Sequence, residues 1–309
     1  MEKSVEIDAV LENHYNLGGS TTTKMEGYAS TNFKVTLGGH FYVLKIYGYD
    51  AETLAQIVAE NEILRLLEKQ GIACSKVIAT RSQKPHYITD QFIFRVLTFI
   101  EGTFLSEATH TDYLFGSFGN FLAQTDLALS QYNNTVIRAK DTQWDLNYFQ
   151  KNWKYLGDIP MASDRSLVDY FCLQFQEHII PLQFEFRTQI IHNDANDWNV
   201  LVNHEEVTGI IDFGDMCHTW LINELAVALT YVMMEKEHPL KTASEVITAY
   251  HKVLPLEKKE MDALYYLVAG RLCTSVLNSA HAKKSRPDAT YITISEQSAW
   301  KLLRKWLTI

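Results

Sequence analysis

The chain has 309 residues, 47% hydrophobic and 21% charged, a globular composition that excludes collagen-like, low-complexity and disordered classes. Its 28 Lys and Arg against 37 Asp and Glu give a formal net charge of −9, no footprint for a polyphosphate backbone, so nucleic acid is not an expected partner. The excess is uneven: residues 1–100 carry 10 basic and 11 acidic side chains, and residues 101–309 carry 18 and 26.

In chain order, Asn32–Leu37 alternates with period two, Gly38-Gly39 follows, and His40–Tyr47 is again strand-like, so the segment reads as a tight hairpin. A helical pattern runs from Ala51 to Gln70, with Leu54, Ile57, Val58, Leu64 and Leu67 as its apolar stripe and Gly71 as its stop. Strands are expected over 75–80, 86–89 and 92–100. Beyond Gly102 the pattern turns helical, over 113–130 and 166–186, with short strands at 189–191, 200–202 and 207–211. Helices then run to the C-terminus, punctuated by Pro239, Pro255 and Pro287. The expected fold is α+β and bilobal: a small β-rich lobe over residues 1–101 and a larger, mostly helical lobe over 102–309.

Cys74, Cys172, Cys217 and Cys273 are far apart and form no C-x-x-C pair, so reduced, buried thiols are expected. Met1–Asp8 lacks the basic start and apolar run of a signal peptide. The longest apolar run, Leu225 to Met234, is too short to span a bilayer. The expectation is a cytoplasmic protein with no membrane partner, its oligomeric state open.

The densest chemical signal is Ile191-His192-Asn193-Asp194-Ala195-Asn196-Asp197-Trp198-Asn199-Val200, a polar loop bracketed by strands. Ile211-Asp212-Phe213-Gly214-Asp215 follows at the end of another short strand. Two adjacent strands would deliver Asp194, Asn199 and Asp212 to one edge. Phosphoryl transfer to a hydroxyl needs such a trio: one carboxylate to orient the hydroxyl and accept its proton, and an amide oxygen with a second carboxylate to hold Mg²⁺ on nucleotide phosphates. The spacing H-x-D-x-x-x-x-N followed by D-F-G matches the catalytic and metal loops of kinases. His192 reads as a packed residue steadying the loop, and Asp197 is left open between a role in the site and solvent exposure. A rival reading takes His192, Asp194 and Asp197 as the metal ligands of a hydrolase, but no second cluster with ligand spacing supports it.

These two motifs, with Asn223-Glu224-Leu225-Ala226 beyond them, resemble the aminoglycoside phosphotransferase and choline kinase superfamily, which has a bilobal protein-kinase-like fold. Within it they most resemble hydroxylysine-kinase-like phosphotransferases, including modules fused to class III aminotransferases. The resemblance implies that Asp194 is the catalytic base and that Asn199 and Asp212 are Mg²⁺ ligands, with ATP or GTP as donor.

On the nucleotide side, Lys45 lies among apolar neighbours on its strand, and a buried ammonium needs an anionic partner. Nucleotide phosphates and a helix carboxylate would supply one. The family pattern of Glu with apolar residues four and seven positions on selects Glu60, through Leu64 and Leu67, over Glu62. No G-x-G-x-x-G is present. The segment Glu26–Phe33 instead resembles the family's phosphate loop, with Ser30 and Asn32 as contacts, and Thr98 and Phe99 fall in the expected hinge that meets the base.

The acceptor side is less legible. Trp144, Asp145, Asp215, His218, Trp220, Asn223, Glu224 and Arg271 are polar or aromatic candidates near the motifs, and Arg271 suits a substrate carboxylate. Where the family often has histidine after Leu-Ala, this chain has Asp126 in Leu122-Ala123-Gln124-Thr125-Asp126. The expected function is an Mg²⁺-dependent kinase of an amine-bearing, hydroxylysine-like alcohol. The alternatives are a homoserine, choline or aminoglycoside kinase of the same fold and a non-catalytic nucleotide-binding module. The acidic surplus is expected to line a cleft for the amine.

Overall fold

The computed structural model describes residues 7–25, 27, 30–285 and 295–309. The chain divides into two compact units, Met1–Glu101 and Gly102–Ile309.

The first unit opens with helix α1 (Ile7–Tyr15) and strand β1 (Thr21–Met25), neither of them expected. The predicted hairpin is present as β2 (Thr31–Leu37) and β3 (His40–Gly48), closing at the pair Leu37↔His40. Gly38 and Gly39 both take positive φ, +58° and +81°, the conformation of a two-residue turn that only glycine adopts without strain. Helix α2 (Ala51–Lys69) starts where Asp50 accepts the backbone N–H of Thr53 at 2.8 Å, and it stops before Gly71. Its buried face is Ile57, Glu60, Asn61, Ile63, Leu64 and Leu67; Val58, placed on the apolar stripe by sequence, is exposed. The three later strands are shorter than expected: β4 (Val77–Ile78), β5 (Tyr87–Ile88) and β6 (Phe92–Thr98).

The sheet runs β1-β2-β3-β6-β4, with β5 also on β6. Strands β3 and β6 are registered Lys45↔Arg95, so these two side chains share one face. The opposite face carries Val35, Leu44, Ile46, Phe94 and Val96 into a core with Leu11, Tyr15 and Leu17, locked by the Tyr15 hydroxyl donating to the Phe94 carbonyl at 2.8 Å.

The second unit begins with the short strand β7 (Thr103–Phe104), followed by α3 (Asp112–Leu129), α4 (Thr135–Arg138), α5 (Phe149–Asn152) and α6 (Ala162–His178). The pattern expected to be helical to residue 186 ends earlier, with a 3-10 turn over Ile180–Leu182. Then come β8 (Thr188–Ile191), β9 (Val200–Asn203), β10 (Glu206–Ile210) and β11 (Cys217–Trp220), the last of them unexpected. They form two small sheets, β10-β9-β7 and β11-β8. The strands next to Asn199 and Asp212, β9 and β10, are adjacent and paired Val200↔Ile210, as expected, whereas β8, which leads to Asp194, belongs to the other sheet. Helices α7 (Ile222–Met233), α8 (Pro239–Val253), α9 (Lys258–Ser285) and α10 (Glu296–Trp306) complete the unit.

Pro239 opens α8 and Pro255 lies between α8 and α9; Pro287 lies outside the described residues. The apolar run Leu225–Met234 is a buried core helix, and none of the described helices is long and apolar enough to cross a membrane. All four cysteines are free and buried.

Candidate active site

The site is a knot of loops in the second unit. Strand β8 ends in the buried Ile190 and Ile191, and the next residues must leave the sheet sharply. Asn193 does so with φ +65°, in the left-handed region. Its backbone N–H donates to Glu224 Oε2 at 3.1 Å, and its side-chain amide donates to the Asp215 carbonyl at 3.2 Å. His192 is buried: Asp194 N–H donates to its Nδ1 at 3.2 Å, and its Nε2 meets the Ile211 carbonyl at 3.0 Å. An acceptor Nδ1 and a donor Nε2 define the neutral tautomer. Both nitrogens are engaged, which matches the steadying role read from sequence and leaves neither for a metal.

The same loop fastens the two motifs together. Asn199 N–H donates to the Asn196 carbonyl at 3.1 Å, and Ile211 N–H donates to the Asn199 carbonyl at 2.9 Å. Asn199 thus lies beside the residue that precedes Asp212. Asp212 has φ +63°, again left-handed, and is exposed. Two neighbouring left-handed residues other than glycine mark a backbone that its surroundings over-determine, as at functional sites.

Asp194 is held from both ends of its carboxylate. Oδ2 accepts from Asn196 Nδ2 at 2.9 Å and Asn199 Nδ2 at 2.8 Å, and Oδ1 accepts from Arg271 Nη2 at 3.0 Å. Burial pushes its pKa up to about 7, against the pull of the Arg271 charge. Burial also raises Asp215, opposed by Lys140, whose ammonium donates to the Gly214 carbonyl. Asp197 is half-buried, and burial brings it to about 6.

The acceptor candidates divide sharply. Asp145 is buried and caps the turn Leu146–Tyr148, accepting from Asn147 N–H at 3.0 Å and Thr219 Oγ1 at 2.7 Å. Asn223 bonds Thr219 Oγ1 at 3.1 Å within the same network, and Trp220 packs on Phe186. Glu224 is buried, holds the Asn193 backbone, and is raised to about 7 by burial. These residues build the site's frame rather than a pocket for substrate. Arg271 is 1% exposed and both of its Nη atoms donate to protein partners, while Nε is buried without one; a 1% exposed guanidinium gives a substrate carboxylate little access, which corrects its reading as a carboxylate reader. Trp144, Asp215 and His218 are half-buried. Asp126 is buried, its Oδ2 receiving the Tyr250 hydroxyl at 2.5 Å, with its pKa raised by burial and by Glu224.

Part of the acidic surplus lies away from this site. Asp112 pairs with Lys241 at 2.7 Å and Glu235 with Lys301 at 3.0 Å on the outside of the helices, and Glu177, Glu185 and Glu205 are exposed elsewhere. Surface charge of this kind serves solvation, while Asp212 and Asp215 act electrostatically on Asp194 within the site.

In the first unit, Ser30 Oγ donates to Asn32 Oδ1 at 2.7 Å. Gly27 fits there because a Cβ would lie 2.2 Å from Asn32 Nδ2 and 2.6 Å from the Ser30 carbonyl. Glu26, Tyr28 and Ala29 of this segment lie outside the described residues. Glu60 is buried and pairs at 2.7 Å with Arg95, a fully buried guanidinium missed by sequence reasoning. The strand register could have found it, since Arg95 sits directly across from Lys45. The amides of Thr98 and Phe99 already donate to the Lys76 and Phe41 carbonyls, at 2.8 and 3.2 Å, so a base would meet other groups of this segment.

The donor set suits Mg²⁺. Asn199 Nδ2 donates to the Asp194 carbonyl oxygen and to Oδ2, so its oxygen end is left as the amide's donor to a cation. One amide oxygen and the Asp212 carboxylate are hard ligands that phosphate oxygens and water would complete. Among the described residues no group of three or more His, Cys, Asp and Glu is arranged to hold a metal.

The family model described as "Phosphotransferase enzyme family" matches residues 24–258. The hydroxylysine kinase of Mus musculus is 24% identical, covering 96% of this chain and 87% of that protein. The homoserine kinase of Bartonella tribocorum is also 24% identical, covering 91% and 86%. Among solved structures, a microcompartment-associated aminopropanol kinase has a TM-score of 0.78 at 16% identity, covering 98% of this chain and 97% of that one. The amicoumacin kinase hAmiN, in complex with AMP-PNP, Ca²⁺ and Ami, has a TM-score of 0.73 at 18% identity, covering 99% and 96%.

Proposed function

Because the chain belongs to the phosphotransferase enzyme family, we propose that it transfers the γ-phosphoryl group of ATP or GTP to a hydroxyl of an amine-bearing metabolite such as hydroxylysine. The observation that carries the reading is the joining of Asp194, Asn199 and Asp212 through one hydrogen-bonded loop system. Asp194 is the base: its carboxylate orients the acceptor hydroxyl and takes the proton as the hydroxyl oxygen attacks. Asn199 and Asp212 are the residues that would hold Mg²⁺, which when bound neutralises charge on the phosphates. In the first unit, Lys45, Ser30 and Asn32 are assigned to the phosphates, Glu60 to positioning, and Thr98 and Phe99 to the segment near the base. Transfer is direct and in line, with no phosphoenzyme.

The acceptor class is supported by the relatives, whose names include hydroxylysine, homoserine and aminopropanol kinases. The test is nucleoside-diphosphate release with hydroxylysine, homoserine, ethanolamine, choline and aminoglycosides, each with Mg-ATP and Mg-GTP. Turnover greatest with hydroxylysine supports the reading. Preference for homoserine or an antibiotic reassigns the acceptor, and nucleotide binding without turnover on any alcohol overturns the enzyme assignment.

A further inference from the structure

Arg271 lies in the middle of α9, 77 residues from Asp194 in sequence, and its side chain is 1% exposed. An unpaired guanidinium there would be costly. The surroundings compensate it fully on one side. Nη1 donates to the Trp144 carbonyl at 2.9 Å, and Nη2 donates to the Tyr231 hydroxyl at 3.2 Å and to Asp194 Oδ1 at 3.0 Å. The Trp144 and Tyr231 rings lie 5.0 and 5.5 Å from the guanidinium carbon, so the planar group is also held by ring faces. Both Nη atoms are thus engaged by protein groups, and Nε is buried without a partner among the described residues.

The two oxygens of Asp194 are not equivalent. Each carboxylate oxygen can accept about two hydrogen bonds. Oδ2 already receives two, from Asn196 and Asn199, while Oδ1 receives one, from Arg271. The remaining acceptor capacity is on Oδ1. The Asp194 side chain is 20% exposed, so the carboxylate is not sealed from outside.

From this geometry we infer that Arg271 is a positioning residue for the transfer: it pins Asp194 so that Oδ1 is the oxygen that receives the acceptor hydroxyl. The inference rests on the reading of Asp194 as the base. It assigns Arg271 to the base and not to a substrate carboxylate, and the two roles separate kinetically. A group that fixes the reacting geometry acts on kcat, whereas a group that binds substrate equally in ground and transition states acts on KM.

The experiment compares wild type, Arg271→Lys, Arg271→Met, Asp194→Asn and the double variant Asp194→Asn/Arg271→Met in the full-length chain, with Mg-ATP and the best acceptor of the panel above. Folding is checked by thermal melting and by Mg-ADP binding. Loss of the fork should lower kcat about 100-fold in Arg271→Met, the scale of a small misplacement of a reacting group, with acceptor and nucleotide KM within about threefold. Arg271→Lys, which keeps the charge but not the fork, should recover part of the loss. The double variant should be no slower than Asp194→Asn alone, because a positioning residue has nothing left to position; an effect through general structure would instead add.

A raised acceptor KM at unchanged kcat would overturn the inference in favour of substrate binding. Unchanged kcat and KM in folded Arg271→Met would overturn it outright. If Arg271→Met does not fold, Arg271→Lys decides alone: wild-type kcat overturns the inference, and a tenfold or larger loss at unchanged KM supports it. Full turnover by Asp194→Asn would instead remove the base assignment itself.

Discussion

The Glu224 carboxylate accepts the backbone N–H of Asn193 at 3.1 Å, and so holds the left-handed residue on which the Asp194 loop turns. Glu224 comes from α7, 31 residues further along, and is buried with no solvent to substitute for it. Glu224→Ala strands this amide in the interior, at a cost of about 1–3 kcal/mol for a buried unsatisfied donor. The expected outcome is a lower melting temperature together with a fall in kcat. Glu224→Gln retains an acceptor oxygen and should keep most of both, as read by thermal melting and acceptor turnover.

The same carboxyl makes stability depend on pH. Burial raises its pKa from 4.5 to about 7 in the folded chain, so folding favours its protonated form. That contribution is fully present below about pH 4.5 and is lost as pH rises toward 7. Relative to Glu224→Gln, the wild type should lose stability across that window. Denaturant melts of both chains at pH 5 and pH 7 check the sign. A difference that grows in favour of wild type on going to pH 7 would contradict it.

Arg95 and Glu60 form a buried ion pair at 2.7 Å, with Arg95 side chain 0% exposed. Removing one partner leaves the other charge buried, which costs about 3–5 kcal/mol in comparable pairs. Arg95→Met should therefore destabilise the chain by an amount of that order in urea unfolding, and Arg95→Met/Glu60→Leu should recover part of it.

Asn199 and Asp212 are assigned to Mg²⁺. Asn199→Ala and Asp212→Asn should each raise the Mg²⁺ concentration needed for ADP to stabilise the chain by about 10-fold or more, the scale on which metal sites lose affinity even when only an outer partner is removed. Melting curves at fixed ADP and increasing Mg²⁺ measure this. Nucleotide stabilisation that survives chelation with EDTA unchanged would remove the metal from the binding account.

What could be read from the sequence follows from the range of the interactions involved. The β2–β3 hairpin is written in period-two alternation and a Gly-Gly turn, and α2 in its spacing and its Asp50 cap, all within a few residues. The two loop motifs were legible for the same reason, since H-x-D-x-x-x-x-N and D-F-G are local patterns. Strand β11 was not, because Cys217–Trp220 has no strand-like alternation and exists by pairing with β8. Val58 was misassigned because the stripe on α2 is completed by the polar Glu60 and Asn61, which a hydrophobic pattern skips. The roles of Arg271, Glu224 and Asp145 depend on partners 31 to 127 residues away, and no local pattern encodes them.

The central claim is that Asp194 carries the chemistry. Its most direct test is the steady-state rate of nucleoside-diphosphate release by Asp194→Asn with the best acceptor of the panel, beside Mg-ADP binding by the same protein. Loss of a general base should lower kcat by about 10²–10⁴-fold while Mg-ADP binding is retained. Turnover at the wild-type rate by the folded Asp194→Asn chain would contradict the account.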